Sequence, residues 1–214
     1  MTTATTSQFG KALGRDFFDR DPRKVGPALL GKILVRRERR KVLAARIVEV
    51  EAYLGSDDEA AHSFVGRTAR NAVLFGPPGF AYVYFIYGNH YCLNVSCLPD
   101  GIPGGILFRS VEPLLGTERM AEARGLSLEG ERSLRLLTSG PGRLAEAFGI
   151  TRARDNGKDL TDPRSDLFIV ADADFPRVRV LATRRIGITK AAEMPLRYVI
   201  ARNRFVSGPK NLLS

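Results

Sequence analysis

The chain has 214 residues, 44% hydrophobic and 26% charged, the balance of a globular protein and not of a disordered or fibrous one. No apolar run is long enough to span a bilayer, and the Thr-rich start, 1–10, lacks the apolar segment of a secretory signal and reads as a frayed end. The formal net charge of +10 points to a polyanionic partner, because Lys and Arg gain by releasing counterions from phosphates; simple solubility is the plainer meaning.

No Pro/Gly/Ser-rich linker divides residues 11–214, so one domain is expected. Asp21-Pro22 opens a helix, with Asp as N-cap and Pro at the first helical position, ending near Gly31. Residues 32–36 read as a strand. The charge run Arg36-Arg37-Glu38-Arg39-Arg40-Lys41 reads as a solvated turn between two strands rather than a phosphate contact. Residues 44–54 form the next strand, with Val48, Val50, Ala52 and Leu54 on one face and Ile47, Glu49, Glu51 and Tyr53 on the other. Glu51 and Tyr53 then stand side by side, roughly 7 Å apart. Two glutamates on a strand face are usually the wet side of a sheet; a neighbouring tyrosine raises this pair above that.

Ser56-Asp57-Asp58-Glu59 has capping-box spacing, which makes its acids the first turn of a short helix ending at His62. The loop Gly66-Arg67-Thr68-Ala69-Arg70-Asn71 either holds phosphates or is merely solvated. Residues 80–87 and 90–98 are β-rich, and Gly88-Asn89 suits a two-residue hairpin loop. Most rings of this hairpin are expected in a core, but Tyr87, nearest the turn, is placed to wedge into something flat. Cys92 and Cys97, five apart on one predicted strand, point to opposite faces and neither pair nor share a metal. Reduced thiols and a cytosolic chain follow.

Residues 104–111 read as a strand, 118–124 and 131–137 as helices. Ser139-Gly140-Pro141-Gly142 introduces a helix over 143–148 and is either an anion cradle or an ordinary N-terminal loop. Residues 168–171, 178–181, 184–189 and 196–200 read as strands that complete the sheet. Strands in runs with helices grouped around them give an α+β fold. Five of the six tyrosines and both histidines lie within 47–94, which suggests a pocket for a flat, stacked ligand with a carboxylate aimed at it. No lysine lies between Lys41 and Lys158, so positive charge near this pocket is carried by arginine.

Several segments resemble, in order, the 3-methyladenine (alkyladenine, N-methylpurine) DNA glycosylases of mammals and bacteria. They include Arg46-Ile47-Val48-Glu49-Val50-Glu51-Ala52-Tyr53-Leu54-Gly55, Asp58-Glu59-Ala60-Ala61-His62-Ser63, Tyr82-Val83-Tyr84-Phe85-Ile86-Tyr87-Gly88 and Leu93-Asn94-Val95-Ser96. Leu107-Phe108-Arg109-Ser110-Val111-Glu112-Pro113, Ser139-Gly140-Pro141-Gly142-Arg143-Leu144 and Pro195-Leu196-Arg197-Tyr198 continue the match. The resemblance implies a single α+β domain, with a curved antiparallel sheet, surrounding helices and a protruding hairpin that enters the minor groove. It implies a monomer that excises alkylated and deaminated purines from double-stranded DNA, with no metal, cofactor or membrane.

By position, Glu51 matches the family's general base and Arg109 the arginine that helps hold the attacking water. Tyr53 and His62 match one wall of the base pocket, Tyr84 the other, and Asn94 the floor that discriminates among purines. Tyr87 matches the residue that fills the gap left by the flipped nucleotide. Arg67 and Arg70 match loop arginines near the DNA backbone, although the family commonly reads Thr-Pro-Arg-Asn where this chain has Thr68-Ala69-Arg70-Asn71. Two other classes compete. A non-enzymatic minor-groove binder explains the charge and Tyr87 but gives Glu51 no role. A hydrolase of free nucleosides needs neither the basic surface nor the hairpin.

Overall fold

A computed structural model describes residues 10–39, 41–86 and 88–208. In chain order the elements are α1 (Arg15–Phe18), α2 (Pro22–Leu29), β1 (Ile33–Glu38), β2 (Lys41–Tyr53), β3 (Ala81–Ile86), β4 (His90–Ser96) and β5 (Gly105–Leu115). There follow α3 (Thr117–Ala123), α4 (Gly130–Thr138), α5 (Pro141–Ala147), α6 (Arg152–Asp155), β6 (Leu167–Val170), β7 (Val180–Thr183) and β8 (Arg197–Ile200). The eight strands form one curled antiparallel sheet in the order β3-β4-β5-β2-β1-β6, with β8 also pairing β2 and β7 pairing β8. The α+β expectation holds. Among the described residues no helix is long and apolar enough to cross a membrane.

β2 is the spine. Its first half pairs with β1 through Ile33↔Arg46 to Glu38↔Lys41. Its second half lies between β5 and β8, where Glu49 faces Ser110 on one side and Val199 on the other. Register shifts against β5 occur on both sides of Glu49; such bulges add twist and re-aim side chains. Glu49 and Glu51 are both fully buried, so the face that carries them is not the wet side of the sheet.

α2 begins as its sequence predicts: Asp21 accepts from the Arg23 N–H at 2.7 Å and Pro22 occupies the first turn. Val25 and Leu29 are buried, and the helix packs against β2. The charge run after β1 is not wholly solvated. Arg36 is fully buried and forks onto Asp155, with Nη1 and Nη2 each 2.8 Å from a carboxylate oxygen. Its Nε donates to the Phe148 carbonyl. Only the tip of the run turns, at Arg39 with φ +49°.

Two further expectations fail. Residues 184–189 are a loop and not a strand; Gly187 has φ +78°, which breaks the extended run. Ser56 caps nothing: Gly55–Asp57 is a single 3-10 turn without a side-chain cap. Gly55, at φ +86°, lies so close to the Pro103 carbonyl that an added Cβ would sit 2.0 Å from its oxygen. The chain must therefore turn sharply there instead of opening a helix. In the hairpin, Ile86 pairs with His90. The connection is thus one residue longer than the two-residue loop predicted, and Tyr87 within it lies outside the described residues.

The acids around Arg36 predict how stability responds to pH. Asp166 also contacts Arg36, Arg154 and Lys158. Burial works against its charge, yet Lys158 and Arg154 outweigh it and hold its carboxyl at about 2, below the ordinary 3.8. A depressed carboxylate contributes stability above its unfolded pKa and loses it as the folded pKa is crossed. The thermal midpoint should therefore fall as pH drops from 3.8 toward about 2. Asp166→Asn should flatten that fall, as read by calorimetry across the interval.

Candidate active site

Two neighbouring cavities open between β2, the β3–β4 hairpin and the 184–194 loop. The first, of about 110 Å³, is lined by Tyr53, His62, Tyr82, Tyr84, Asn94 and Ile188 among others, with no charged side chain. The second, more open and of about 350 Å³, shares Tyr53, Tyr84, Ile86 and Ile188 and adds His90, Cys92, Arg109 and Arg143. Among the described residues no acid and no lysine lines either one. An uncharged aromatic chamber thus adjoins a cleft carrying two guanidinium groups.

The rings do not divide as expected. His62 meets Tyr84 edge-on, with centroids 4.4 Å apart, so these two share one wall. Tyr53 lines the same chamber, and among the described residues it has no ring contact with either. The structure thus brings His62 and Tyr84 into ring contact and sets Tyr53 apart from both. The Tyr82 hydroxyl and His62 Nδ1 share a hydrogen bond of 2.8 Å, and burial pushes that hydroxyl's pKa up. Burial, then Arg70, holds His62 below its ordinary 6.5, so the ring is neutral at pH 7. Burial likewise raises Tyr84. The chamber's titratable walls are all uncharged at neutral pH. Asn94 is fixed by Nδ2 donating to the Tyr82 carbonyl at 3.2 Å. Its Oδ1 has no hydrogen-bond partner among the described residues, and the side chain lines the chamber.

Glu51 sits directly behind this chamber. Its Oε2 accepts from the Tyr53 hydroxyl at 3.0 Å. Its Oε1 accepts from the Ile186 N–H at 3.0 Å and lies 3.2 Å from Arg109 Nη1. The carboxylate contributes surface to neither cavity. It is therefore not aimed openly into the slot, as the sequence suggested, but is screened by the tyrosine ring and the arginine that line it. Arg109 reaches the second cavity while its Nε donates to Glu49 at 3.0 Å and Nη1 to the Ile186 carbonyl at 3.3 Å. Burial opposes its charge, but Glu51 and Glu49 outweigh burial and raise its pKa.

Sequence reading missed the parts that hold this arrangement. Arg185, fully buried, forks onto Asp58 at 2.7 and 2.9 Å. Its guanidinium lies 5.1 Å from the centroid of the Tyr53 ring. Asp58 also accepts from the N–H groups of Leu54 and Ala60. The predicted helix-terminal acid is thus the anchor of a buried pair that backs a chamber wall. Asn71 organises the 66–71 loop, accepting from the Thr68 N–H and donating to the carbonyls of Gly66 and His62. Arg70, on that loop, lies 5.9 Å over the Tyr84 ring, whereas Arg67 is exposed and without a partner among the described residues. Gly142, in the first turn of α5, acts by size: a Cβ there would lie 2.9 Å from the His90 ring, so helix and hairpin approach closely through glycine.

The family model described as methylpurine-DNA glycosylase matches residues 16–204. A relative from Koribacter versatilis, provisionally named 3-methyladenine DNA glycosylase, is 66% identical over 200 residues, 94% of this chain and 95% of its own. A relative from Burkholderia lata with the same provisional name is 47% identical over 200 residues, 94% of this chain and 93% of its own. One from Anaeromyxobacter, again so named, is 43% identical over 198 residues, 91% of this chain and 92% of its own.

The buried Arg185–Asp58 pair has a measurable consequence. Removing one partner of such a pair leaves an uncompensated charge at a cost of about 3–5 kcal/mol. Arg185→Met, similar in length, should lower unfolding free energy by about that amount in urea. A loss of only a few tenths would show that Asp58 is satisfied without its arginine.

Proposed function

This chain belongs to the methylpurine-DNA glycosylase family, and from that membership we propose that it removes alkylated and deaminated purines from duplex DNA by simple hydrolysis. The substrate class is 3-methyladenine, 7-methylguanine, hypoxanthine and ethenoadenine. The enzyme works as a monomer in the bacterial cytosol and needs no metal or cofactor. The observation that carries the reading is the Glu51–Arg109 pair lying behind an uncharged aromatic chamber, with Tyr53 touching both the chamber and the carboxylate.

A base within the duplex presents neither its faces nor its glycosidic bond to the protein. It must be flipped out, at a cost that is least for damaged or mispaired bases. Tyr87 fills the vacated stack, while Arg67 and Arg70 hold the backbone. Stacking on an aromatic ring is worth about 1–3 kcal/mol per base and tolerates many purines. A purine made cationic by alkylation gains further from facing neutral π-systems. Asn94 then selects by shape and by its polar group at the floor, against the exocyclic amine of normal guanine.

For this chemistry a water must reach Glu51 past Tyr53 and Arg109, the two lining residues that hold its oxygens. As the bond from C1′ to the purine nitrogen breaks, its electron pair leaves with the base and the sugar becomes oxocarbenium-like. The water oxygen bonds to C1′ and its proton passes to Glu51, while the carboxylate stabilises the developing positive charge. The product is an abasic site. Backbone cleavage by the same enzyme would require an amine nucleophile, and the absence of lysine from both linings among the described residues supports hydrolysis alone. A pure minor-groove binder would have no use for a buried carboxylate behind the chamber.

Duplexes each carrying one modified purine, assayed for abasic sites, test the substrate class. Glu51→Gln should keep lesion binding and lose most base release. Full turnover in that variant would remove the carboxylate from the mechanism. Borohydride should trap no covalent protein–DNA adduct, and a trapped band would contradict hydrolysis alone. Tyr87→Ser should weaken lesion binding with little change on undamaged duplex.

A further inference from the structure

We propose that Glu49 is a positioning residue for base release: clamped by Arg197 and Ser207, it fixes the guanidinium of Arg109 that in turn holds Glu51. The inference rests on the roles proposed above for Glu51 and Arg109.

Glu49 is fully buried and lines neither cavity. Its Oε1 accepts from Arg109 Nε at 3.0 Å, Arg197 Nε at 2.7 Å and Ser207 Oγ at 2.8 Å. Its Oε2 accepts from the Ser207 N–H at 2.6 Å. With four donors on it and, unlike Glu51, no hydrogen bond to a ring of the chamber, Glu49 is the less suited of the two to take a proton from water. It is placed to hold. The donors come from β5, from β8 and from the segment after Phe205, so one side chain gathers three distant stretches. Arg197 Nη2 closes the ring by donating to the Ser207 carbonyl at 2.9 Å.

The guanidinium is a planar fork whose donors are fixed relative to one another. With Nε on Glu49 and Nη1 on Glu51, the plane of Arg109 cannot rotate. That orientation leaves Nη2 without a protein partner among the described residues, in the side chain that reaches the second cavity. Without Glu49 the fork is free to turn both Nη groups onto Glu51 as an ordinary bidentate pair. Such a turn would withdraw Nη2 from the cleft. Charge points the same way. Glu49 and Glu51 balance Arg109 and Arg197, and deleting Glu49 leaves a buried excess cation beside the position where positive charge develops on the sugar.

The test is single-turnover release of a methylated purine with enzyme in excess, beside affinity for a duplex carrying a non-hydrolysable lesion analogue. Glu49→Gln keeps the shape and removes the charge. Release should slow by about tenfold or more while lesion affinity stays within about twofold. A general structural defect would add to the loss in Arg109→Ala, whereas a role exerted through Arg109 would not. Glu49→Gln should therefore slow Arg109→Ala little further. Wild-type release by Glu49→Gln, or the same slowing in both backgrounds, overturns the proposal. Should Glu49→Gln not fold, Ser207→Ala removes one donor, keeps the backbone N–H, and is read by the same cycle. Absence of base release by the unsubstituted protein would sink the glycosylase reading and this inference with it; active protein indifferent to both substitutions sinks this inference alone.

Discussion

The structure depends on cations being neutralised inside it. Arg36, Arg185 and Arg197 are among its largest fully buried side chains, and Arg109 is nearly so. Each meets acids from a distant part of the chain: Arg36 with Asp155, Arg185 with Asp58, and Arg197 and Arg109 with Glu49. Taking both charges out of water costs several kcal/mol per ion, so these pairs add little net stability over a well-packed apolar core. What they supply is geometry. A fork onto a carboxylate tolerates little displacement, and each pair fixes the separation of two segments that hydrophobic packing alone would leave free to slide.

This accounts for the separation of charge between outside and inside. The chain carries +10 overall, a field suited to collecting a polyanion and sensitive to salt. Around the chamber the charges cancel: two glutamates against two arginines on one side, Asp58 against Arg185 on another. His62 and the tyrosines are neutral at pH 7. Of the exposed arginines of the 66–71 loop, only Arg70 comes near the chamber, over the Tyr84 ring. Screening weakens the outer contacts and leaves the inner pairs, shielded from solvent, nearly unchanged.

Much of the fold was legible in local pattern. Asp21-Pro22 set a helix start, alternating apolar runs set most strands, and grouped tyrosines and histidines marked the chamber. The failures among charged residues share a cause: their role depends on partners far away in the chain, most of them more than a hundred positions off. Nothing near Glu49 in sequence reveals that Arg197 and Ser207 reach it. Asp58 satisfied a capping box on paper, but its partner is Arg185, 127 positions on. Arg36 sat in a charge run whose average character is solvated. The 184–189 stretch had strand-like composition, and only the positive φ at Gly187 shows why it loops. Charged residues are hardest to place because their local preference is for water, and a distant counter-ion reverses it.

The position of Tyr53 joins these threads. Strand geometry puts it two residues from Glu51 on the same side, so neither can move without the other. Its ring forms part of the chamber, its hydroxyl donates to the carboxylate, and the Arg185 guanidinium lies over the ring. Burial and the adjacent Glu51 raise its pKa well above the ordinary 10.0, so it remains a donor. On the proposed reading, a base stacked on that ring would be located relative to Glu51 by the single covalent framework of β2, and the pleat of that strand would set its distance from the carboxylate. The 184–189 loop need only bring Ile186, and β5 Arg109, against it, which the Asp58 and Glu49 networks accomplish from behind.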